Sequence, residues 1–158
     1  MDKIMQGIYA KGRDNARTPM QWSAQEYGGF SDHEPWIRMN PNYETINVEE
    51  SEADKASIFH FYQKLIRLRK EWEIVSTGDF TLLFEDDRNL FAYKREADGE
   101  RLTVIANFTG EDVQCRLPDE IKPGRGQILL SNYDRDSAEK KMTLRPYESF
   151  MYYEKTEK

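Results

Sequence analysis

Short runs of residues with the composition of β-strands fill the second half of the chain. Turn residues separate these runs, among them Ala97-Asp98-Gly99 and Pro123-Gly124. Strands that recur every 8–12 residues or so, with turn signals between them, are typical of an antiparallel β-sandwich or barrel. The pattern predicts strands at Asp79–Phe84, Leu90–Arg95, Leu102–Phe108, Val113–Leu117, Gly126–Ser131, Met142–Leu144 and Ser149–Tyr153.

Before these strands, the apolar residues recur with the period of an α-helix. From Ser57 onward, apolar residues recur at steps of three and four, which predicts one amphipathic helix. Asp54 or Ser57 can cap its N-terminus, and basic residues crowd its last turn, where they complement the helix dipole. The apolar residues are Ile58, Phe61, Tyr62, Leu65, Ile66, Leu68 and Trp72.

The first 50 residues follow neither period for long. A short helix is expected near Ile4–Tyr9 and another turn of helix near Val48–Glu52, with loop and tight turns between them. Unstructured connections of about 40 residues are rare in compact domains. This one carries too many aromatic residues for disorder, so we expect it to be ordered against a surface that the chain does not itself supply.

Composition excludes several classes of function. The net charge of −6, with no basic run, disfavours nucleic acid as a partner. The single cysteine, Cys115, lies in an alternating run and is predicted to be a buried small hydrophobic residue rather than a reactive thiol. No apolar run is long enough for a membrane span and no signal-peptide core is seen, which favours a soluble cytoplasmic protein without a membrane partner. The two histidines, His33 and His60, have too few neighbouring ligands for a metal site, and no cofactor motif is found.

One loop is chemically distinctive, the stretch GRDNARTPMQW beginning at residue 12. Arg13 and Arg17 present guanidinium groups that fit carboxylates and vicinal hydroxyls. With Asp14 between them they could equally form an internal network that stabilises the loop. Trp22 and Trp36 could stack on a sugar, although anchoring of the loop is the favoured interpretation.

These residues carry a resemblance to a known family. The chain resembles the last barrel segment and C-terminal domain of glycoside hydrolase family 13, within the oligo-1,6-glucosidase group that includes dextran glucosidases, trehalose-6-phosphate hydrolases and sucrose isomerases. Ser23 departs from the group, where Asp often follows the Trp. The resemblance covers essentially the whole chain and rests on the stretches Gly12–Trp22, Gly29-Phe30, Pro35-Trp36-Ile37, Asn40–Tyr43, Ile46-Asn47-Val48, Phe61–Lys70, Val104–Phe108 and Leu144–Glu148.

The resemblance implies a mainly β fold. We expect an antiparallel β-sandwich of Greek-key type at 74–158, preceded at 1–73 by the last loop and final helix of a truncated (β/α)8 barrel. It also implies a retaining α-glucosidase that hydrolyses α-1,6 bonds of isomalto-oligosaccharides through two carboxylates. Those carboxylates belong to barrel strands before this chain, so the chain by itself is expected to be inactive.

The resemblance also suggests site residues and partners. Arg13 is expected to bind the glucose ring in the non-reducing subsite and to pair with an Asp from an early barrel loop. Arg17 is the second candidate for substrate binding, although holding the loop is the more favoured role. The expected partners are the oligosaccharide and the missing barrel, with self-association possible when the barrel is absent.

A trehalose-6-phosphate hydrolase, a sucrose-acting member, a non-catalytic carbohydrate-binding sandwich and a catalytically silent transporter subunit remain alternatives. A carbohydrate-binding sandwich would display aromatic residues on one exposed face, whereas we expect the aromatic residues that alternate in the predicted strands to lie in the core. These residues are Tyr93, Phe108, Phe150 and Tyr152.

Overall fold

A computed structural model describes residues 3–156, apart from the side chains of Tyr9 and Asn15. The chain forms two compact units, one ending at Tyr62 and the other beginning at Gln63.

The first unit is a series of short elements. Helix α1 spans Lys3–Lys11 and helix α2 spans Val48–Ala53, so the two short helices predicted here are confirmed. Asn47 caps α2 by accepting a hydrogen bond from the Glu50 backbone N–H at 2.9 Å. Between these helices the chain makes three 3-10 turns, at Asp14–Ala16, Glu26–Gly29 and Pro41–Glu44.

Helix α3 spans Ile58–Glu71 and confirms the predicted amphipathic helix. Ser57 provides the cap, because its Oγ accepts a hydrogen bond from the His60 backbone N–H at 3.4 Å. Part of the apolar stripe remains open in the described structure: Ile58 is 77% exposed and Ile66 is 54% exposed.

The second unit contains helix α4 (Ile74–Thr77) and all the strands. Each predicted strand is confirmed, with ends that agree to within two residues. The strands are β1 (Asp79–Leu83), β2 (Leu90–Ala97), β3 (Glu100–Asn107), β4 (Val113–Arg116), β5 (Gly126–Ser131), β6 (Lys141–Leu144) and β7 (Ser149–Lys155).

The strands form two antiparallel sheets. One has the order β1-β2-β3-β7-β5, and β4 pairs with β6 in the other. The chain thus crosses between sheets at β4 and β6, as it does in Greek-key sandwiches. The main core lies between the sheets and includes Ala92, Ile105, Leu144, Phe150 and Tyr152. The predicted β-sandwich is confirmed.

Strand alternation divides the aromatic residues between two faces. Phe150 and Tyr152 are 2% exposed and lie in the core, as expected from the sequence. The same expectation was wrong for Phe108, which is 67% exposed. Phe108 follows β3, and its ring contacts Phe91 on the outer face of the five-stranded sheet, with 6.0 Å between ring centroids. Tyr93 lies on that face as well and is half-buried.

A buried carboxylate ties the end of the sandwich together. Glu148 is fully buried and accepts hydrogen bonds from Arg135 Nε at 2.6 Å and from the Arg145 backbone N–H at 2.9 Å. The Arg145 side chain also donates to it, at 3.2 Å from Nε. Burial by itself would raise the pKa of Glu148, but the bonds from Arg135 and Arg145 outweigh burial and lower the pKa to about 2.

Asn107 makes a second polar connection at the end of β3. Its Nδ2 donates to the carbonyls of Glu111 at 2.7 Å and Arg145 at 2.9 Å. Its Oδ1 accepts from the Thr109 backbone N–H at 2.9 Å. One side chain therefore holds the loop after β3 and the turn before β7.

Candidate functional site

The arginine-bearing loop begins where α1 ends. The Gly12 backbone N–H donates to the Ile8 carbonyl at 2.7 Å. A Cβ at residue 12 would come within 2.5 Å of that same oxygen, so only glycine fits this close approach. Arg13 follows, and its carbonyl accepts from the Ala16 N–H at 3.0 Å to start the first 3-10 turn.

Both arginine side chains point away from the folded unit. Arg13 and Arg17 are exposed. Within residues 3–156, neither guanidinium makes an ion pair or side-chain hydrogen bond, and Asp14 does not join them. The internal network that the sequence left open is thus absent from the described structure. Both planar forks of donors remain available to a ligand.

Gln21 connects the arginine loop to the segment from Asn42 to Val48. Its side-chain Nε2 donates to Asn42 Oδ1 at 3.0 Å and to the Ile46 carbonyl at 2.5 Å. Its own carbonyl accepts from the Val48 N–H at 2.9 Å, and the next carbonyl, that of Trp22, accepts from Glu49 at 3.0 Å. These bonds hold the loop beside the start of α2 and so fix its path.

A tight turn lies on the other side of Trp22. Tyr27, Gly28 and Gly29 all have left-handed backbones, with φ of 52°, 63° and 65°. The turn is closed because the Gly28 carbonyl accepts from the backbone N–H groups of both Trp22 and Ser23. Three consecutive left-handed residues, one of them a tyrosine, are a strained arrangement.

This turn borders an open cavity of about 420 Å³. Its lining includes the polar side chains of Gln25, Glu26 and Asp32 beside the exposed ring of Phe30. The Glu26 carboxylate raises the pKa of the Tyr27 phenol above its ordinary value.

Both tryptophans are exposed in the described chain. Trp22 is 51% exposed, and Trp36 is 91% exposed. Trp36 therefore does not anchor the loop within the described chain, and anchoring against a surface outside it stays a prediction.

Other candidate chemistry is sparse. His60 Nε2 lies 2.9 Å from the Glu52 carbonyl, and His33 Nδ1 lies 3.4 Å from Ser31 Oγ. Across the described residues, no three side chains of metal-binding type come together. Burial raises the pKa of the Cys115 thiol to about 11, which confirms that Cys115 is a buried, weakly reactive residue. No helix in the described part of the chain is long and apolar enough to cross a membrane.

Two features of the loop were missed by sequence reasoning. Gln21 acts through partners 21 and 25 residues away, and no local pattern signals such contacts. The left-handed turn does leave a signal in the sequence, the Gly28-Gly29 pair.

Comparison with known families divides the chain where its fold changes. The family "Alpha amylase, catalytic domain" matches residues 1–78. The family "Alpha-amylase SusG C-terminal domain" matches residues 90–151, which hold most of the strands.

Individual relatives agree with both matches. The oligo-1,6-glucosidase of Bacillus cereus is 48% identical over 153 residues, covering 96% of this chain and 27% of the relative. The trehalose-6-phosphate hydrolase of Bacillus subtilis (strain 168) is 45% identical over 147 residues, covering 92% of this chain and 26% of the relative. A crystal structure of the Bacillus licheniformis trehalose-6-phosphate hydrolase superposes with a TM-score of 0.84 at 44% identity, over 96% of this chain and 28% of that one.

The chain thus spans about a quarter of the length of the curated relatives that it matches. The two family matches follow each other in order, and the solved relative has the same fold over nearly all of the chain. The chain belongs to the alpha-amylase family, glycoside hydrolase family 13, and corresponds to the C-terminal part of its oligo-1,6-glucosidase-like members.

Proposed function

We propose that this chain is the C-terminal part of a retaining α-glucosidase that hydrolyses α-1,6-glucosidic bonds of isomalto-oligosaccharides in the cytoplasm. The observation that carries the proposal is the pair of unpartnered guanidinium groups, Arg13 and Arg17, on a loop held in place by Gln21. The identity of 48% to an oligo-1,6-glucosidase supports the substrate class.

In this proposal the roles are divided between this chain and a barrel. Retaining hydrolysis needs one carboxylate as nucleophile and another as acid and base, and these are assigned to barrel strands that this chain does not span. Arg13 hydrogen-bonds the glucose ring in the terminal subsite and so fixes the position of the anomeric carbon. Arg17 is the second substrate-binding candidate.

The proposed domain boundary lies at residues 73 and 74. Residues 1–73 would complete the barrel, and residues 74–158 would form the sandwich that stabilises it. The end of the catalytic-domain match at residue 78, just before β1 begins at Asp79, supports this division.

A chimera tests the proposed activity. The last quarter of the Bacillus cereus oligo-1,6-glucosidase is replaced by this chain, and hydrolysis of isomaltose is measured. We expect the chimera to hydrolyse isomaltose and the 158-residue chain alone to hydrolyse none. A folded but inactive chimera, or an active isolated chain, would contradict the proposal.

Arginine variants of the chimera test the binding role. Arg13→Ala should lower kcat/KM about 10- to 100-fold, because a charge-assisted hydrogen bond contributes about 1.5–3 kcal/mol. Arg13→Lys should restore little, since an ammonium lacks the planar fork. Arg17→Ala serves as the matched variant and should lower kcat/KM by a smaller factor than Arg13→Ala. Neither substitution should change the melting temperature of the isolated chain, because both side chains are exposed and unpaired there.

A trehalose-6-phosphate hydrolase is the second candidate, because relatives of that kind are 45% and 44% identical to the chain. The same replacement in the Bacillus subtilis enzyme provides the comparison. For each chimera, the activity is expressed as a fraction of that of its natural parent enzyme. A larger fraction for the Bacillus subtilis chimera on trehalose 6-phosphate than for the Bacillus cereus chimera on isomaltose would favour this candidate.

A further inference from the structure

The outer face of the five-stranded sheet carries an exposed apolar surface. We define the outer aromatic patch as Phe80, Leu82, Phe91, Tyr93 and Phe108. Register places these residues side by side, since Phe80 pairs with Arg95 and Leu82 with Tyr93 across β1 and β2. The rings form a continuous row: centroids are 5.2 Å apart for Phe80 and Tyr93, and 5.8 Å for Phe91 and Tyr93.

Much of this surface is open to water. Phe80 is 54% exposed, Phe91 45% and Phe108 67%. Because each aromatic side chain buries about 200 Å², these three rings leave about 300 Å² of apolar surface open. The largest apolar patch on a typical monomer is of about this size and often has a function.

The other end of the same outer face is already covered. Leu102 and Tyr153 form a small core there with Ile74, and Trp72 and Val75 pack against it. The Trp72 and Tyr153 rings meet edge to face at 4.6 Å. These covering residues fall within the part of the chain that matches the alpha-amylase catalytic domain.

We propose that the outer aromatic patch is the docking surface for the portion of the catalytic domain that the relatives carry and this chain does not. Two observations favour this occupant over a sugar or a second copy of the chain. The patch continues a face whose other end is covered by catalytic-domain residues, and the chain spans only 27% of its relative's length. The inference rests on the proposed function, because it assumes that the chain works as part of a complete enzyme.

The composition of the patch fits a protein surface better than a sugar. None of its five residues offers a carboxylate or amide for sugar hydroxyls, and the only polar group among them is the Tyr93 phenol. Phe91 and Phe108 meet at an interplanar angle of 89°, so they do not form the flat platform on which a sugar ring stacks. Arg95, beside the patch, already donates to the Gly78 carbonyl at 2.8 Å.

The test compares one double substitution in two settings, the isolated chain and the Bacillus cereus chimera. Phe91→Ser with Phe108→Ser removes the two rings at one end of the patch. The double substitution should lower the melting temperature of the chimera by about 3–5 °C more than that of the isolated chain. The isolated chain also loses some packing, because Phe91 is only 45% exposed and its ring contacts Tyr93. The milder pair Phe91→Leu with Phe108→Leu should give an intermediate fall and covers the case in which the serine chimera does not fold.

Tyr147→Ser is the matched control, because Tyr147 is a similarly exposed aromatic residue, at 64%, in the turn before β7. It should change neither melting temperature. Equal effects of the patch substitutions in the chain and the chimera, or no effect in the chimera, would overturn the inference.

Other occupants give distinct results. Light scattering that shows an isolated-chain dimer, lost in the double variant while the chimera is unaffected, would assign the patch to a second copy and overturn the inference. Titration calorimetry can also show whether the isolated chain binds isomaltose or maltoheptaose. Binding that is lost in the double variant would assign the patch to a sugar and overturn the inference. A chimera that folds but does not hydrolyse isomaltose counts against the proposed function alone, because its melting temperature still reports on the patch.

Discussion

Replacing Glu148 with Gln should destabilise the sandwich by about 2 kcal/mol at pH 7. The pKa of this carboxyl is lowered from 4.5 to about 2 in the folded chain. A shift of that size corresponds to at most about 3 kcal/mol of folding free energy. Solvent screens part of it, because the Arg145 side chain is 45% exposed while Arg135 is only 14% exposed.

The pH dependence follows from the direction of the shift. A carboxyl whose folded pKa is lowered stabilises the fold above its unfolded pKa, near 4.5, and loses that contribution as pH falls towards 2. The free-energy gap between the natural chain and Glu148→Gln should therefore be constant from pH 7 to 5 and shrink below pH 4.5.

Urea unfolding followed by circular dichroism, repeated from pH 7 to pH 2.5, measures this gap. Asp119→Asn is the control, because Asp119 pairs with Lys140 at 2.7 Å but is 86% exposed. Its substitution should leave stability unchanged. A gap between the natural chain and Glu148→Gln that is absent at pH 7, or that stays the same down to pH 3, would refute the electrostatic account of this cluster.

Three further outcomes are expected. Thr103→Val should stabilise the chain by about 1 kcal/mol in the same urea assay, because the Thr103 hydroxyl is fully buried and finds no hydrogen-bond partner among the described residues. A loss of stability would mean that this hydroxyl does make a hydrogen bond in the folded chain. Asn107→Ala should lower the free energy of unfolding by about 2–3 kcal/mol, because it removes a buried side chain and leaves two part-buried carbonyls and the Thr109 N–H without their partner. A change below about 0.5 kcal/mol, which is the size expected of a surface substitution, would contradict this role. Cys115 should react with iodoacetamide at pH 8 only after unfolding in urea, because burial raises its pKa to about 11; rapid labelling of the folded chain would show that the thiol is accessible.

The elements of this fold were predictable because their signals are local. Short β runs between turn residues identified every described strand, and the three- and four-residue steps from Ile58 to Trp72 identified α3. Asp54 and Ser57 were the two cap candidates by residue type, and it is Ser57 whose Oγ accepts the expected bond.

Burial was less predictable than secondary structure. Alternation along a strand separates its residues into two faces, but it does not show which face another element covers. For this reason the exposure of Phe108 in the described structure did not follow from the sequence.

The candidate site was predictable only through the resemblance. Arg13 and Arg17 stood out by residue type, yet spacing alone left a loop-stabilising network equally open. Only the structure shows that, among the described residues, neither arginine bonds to Asp14, and only the structure shows which groups the Gln21 side chain contacts. Their role towards a sugar stays a prediction.

The position of β7 has a consequence for biosynthesis. This strand, Ser149–Lys155, pairs with β3 on one side and β5 on the other. Domains generally fold as units while the ribosome elongates the chain. Here β7 follows both β3 and β5 in the chain, so the two edges that it joins keep unsatisfied hydrogen-bonding groups until β7 has been synthesised. A premature stop codon after residue 131 and before residue 149 would leave that gap permanently open and make the product a substrate for chaperones and proteases.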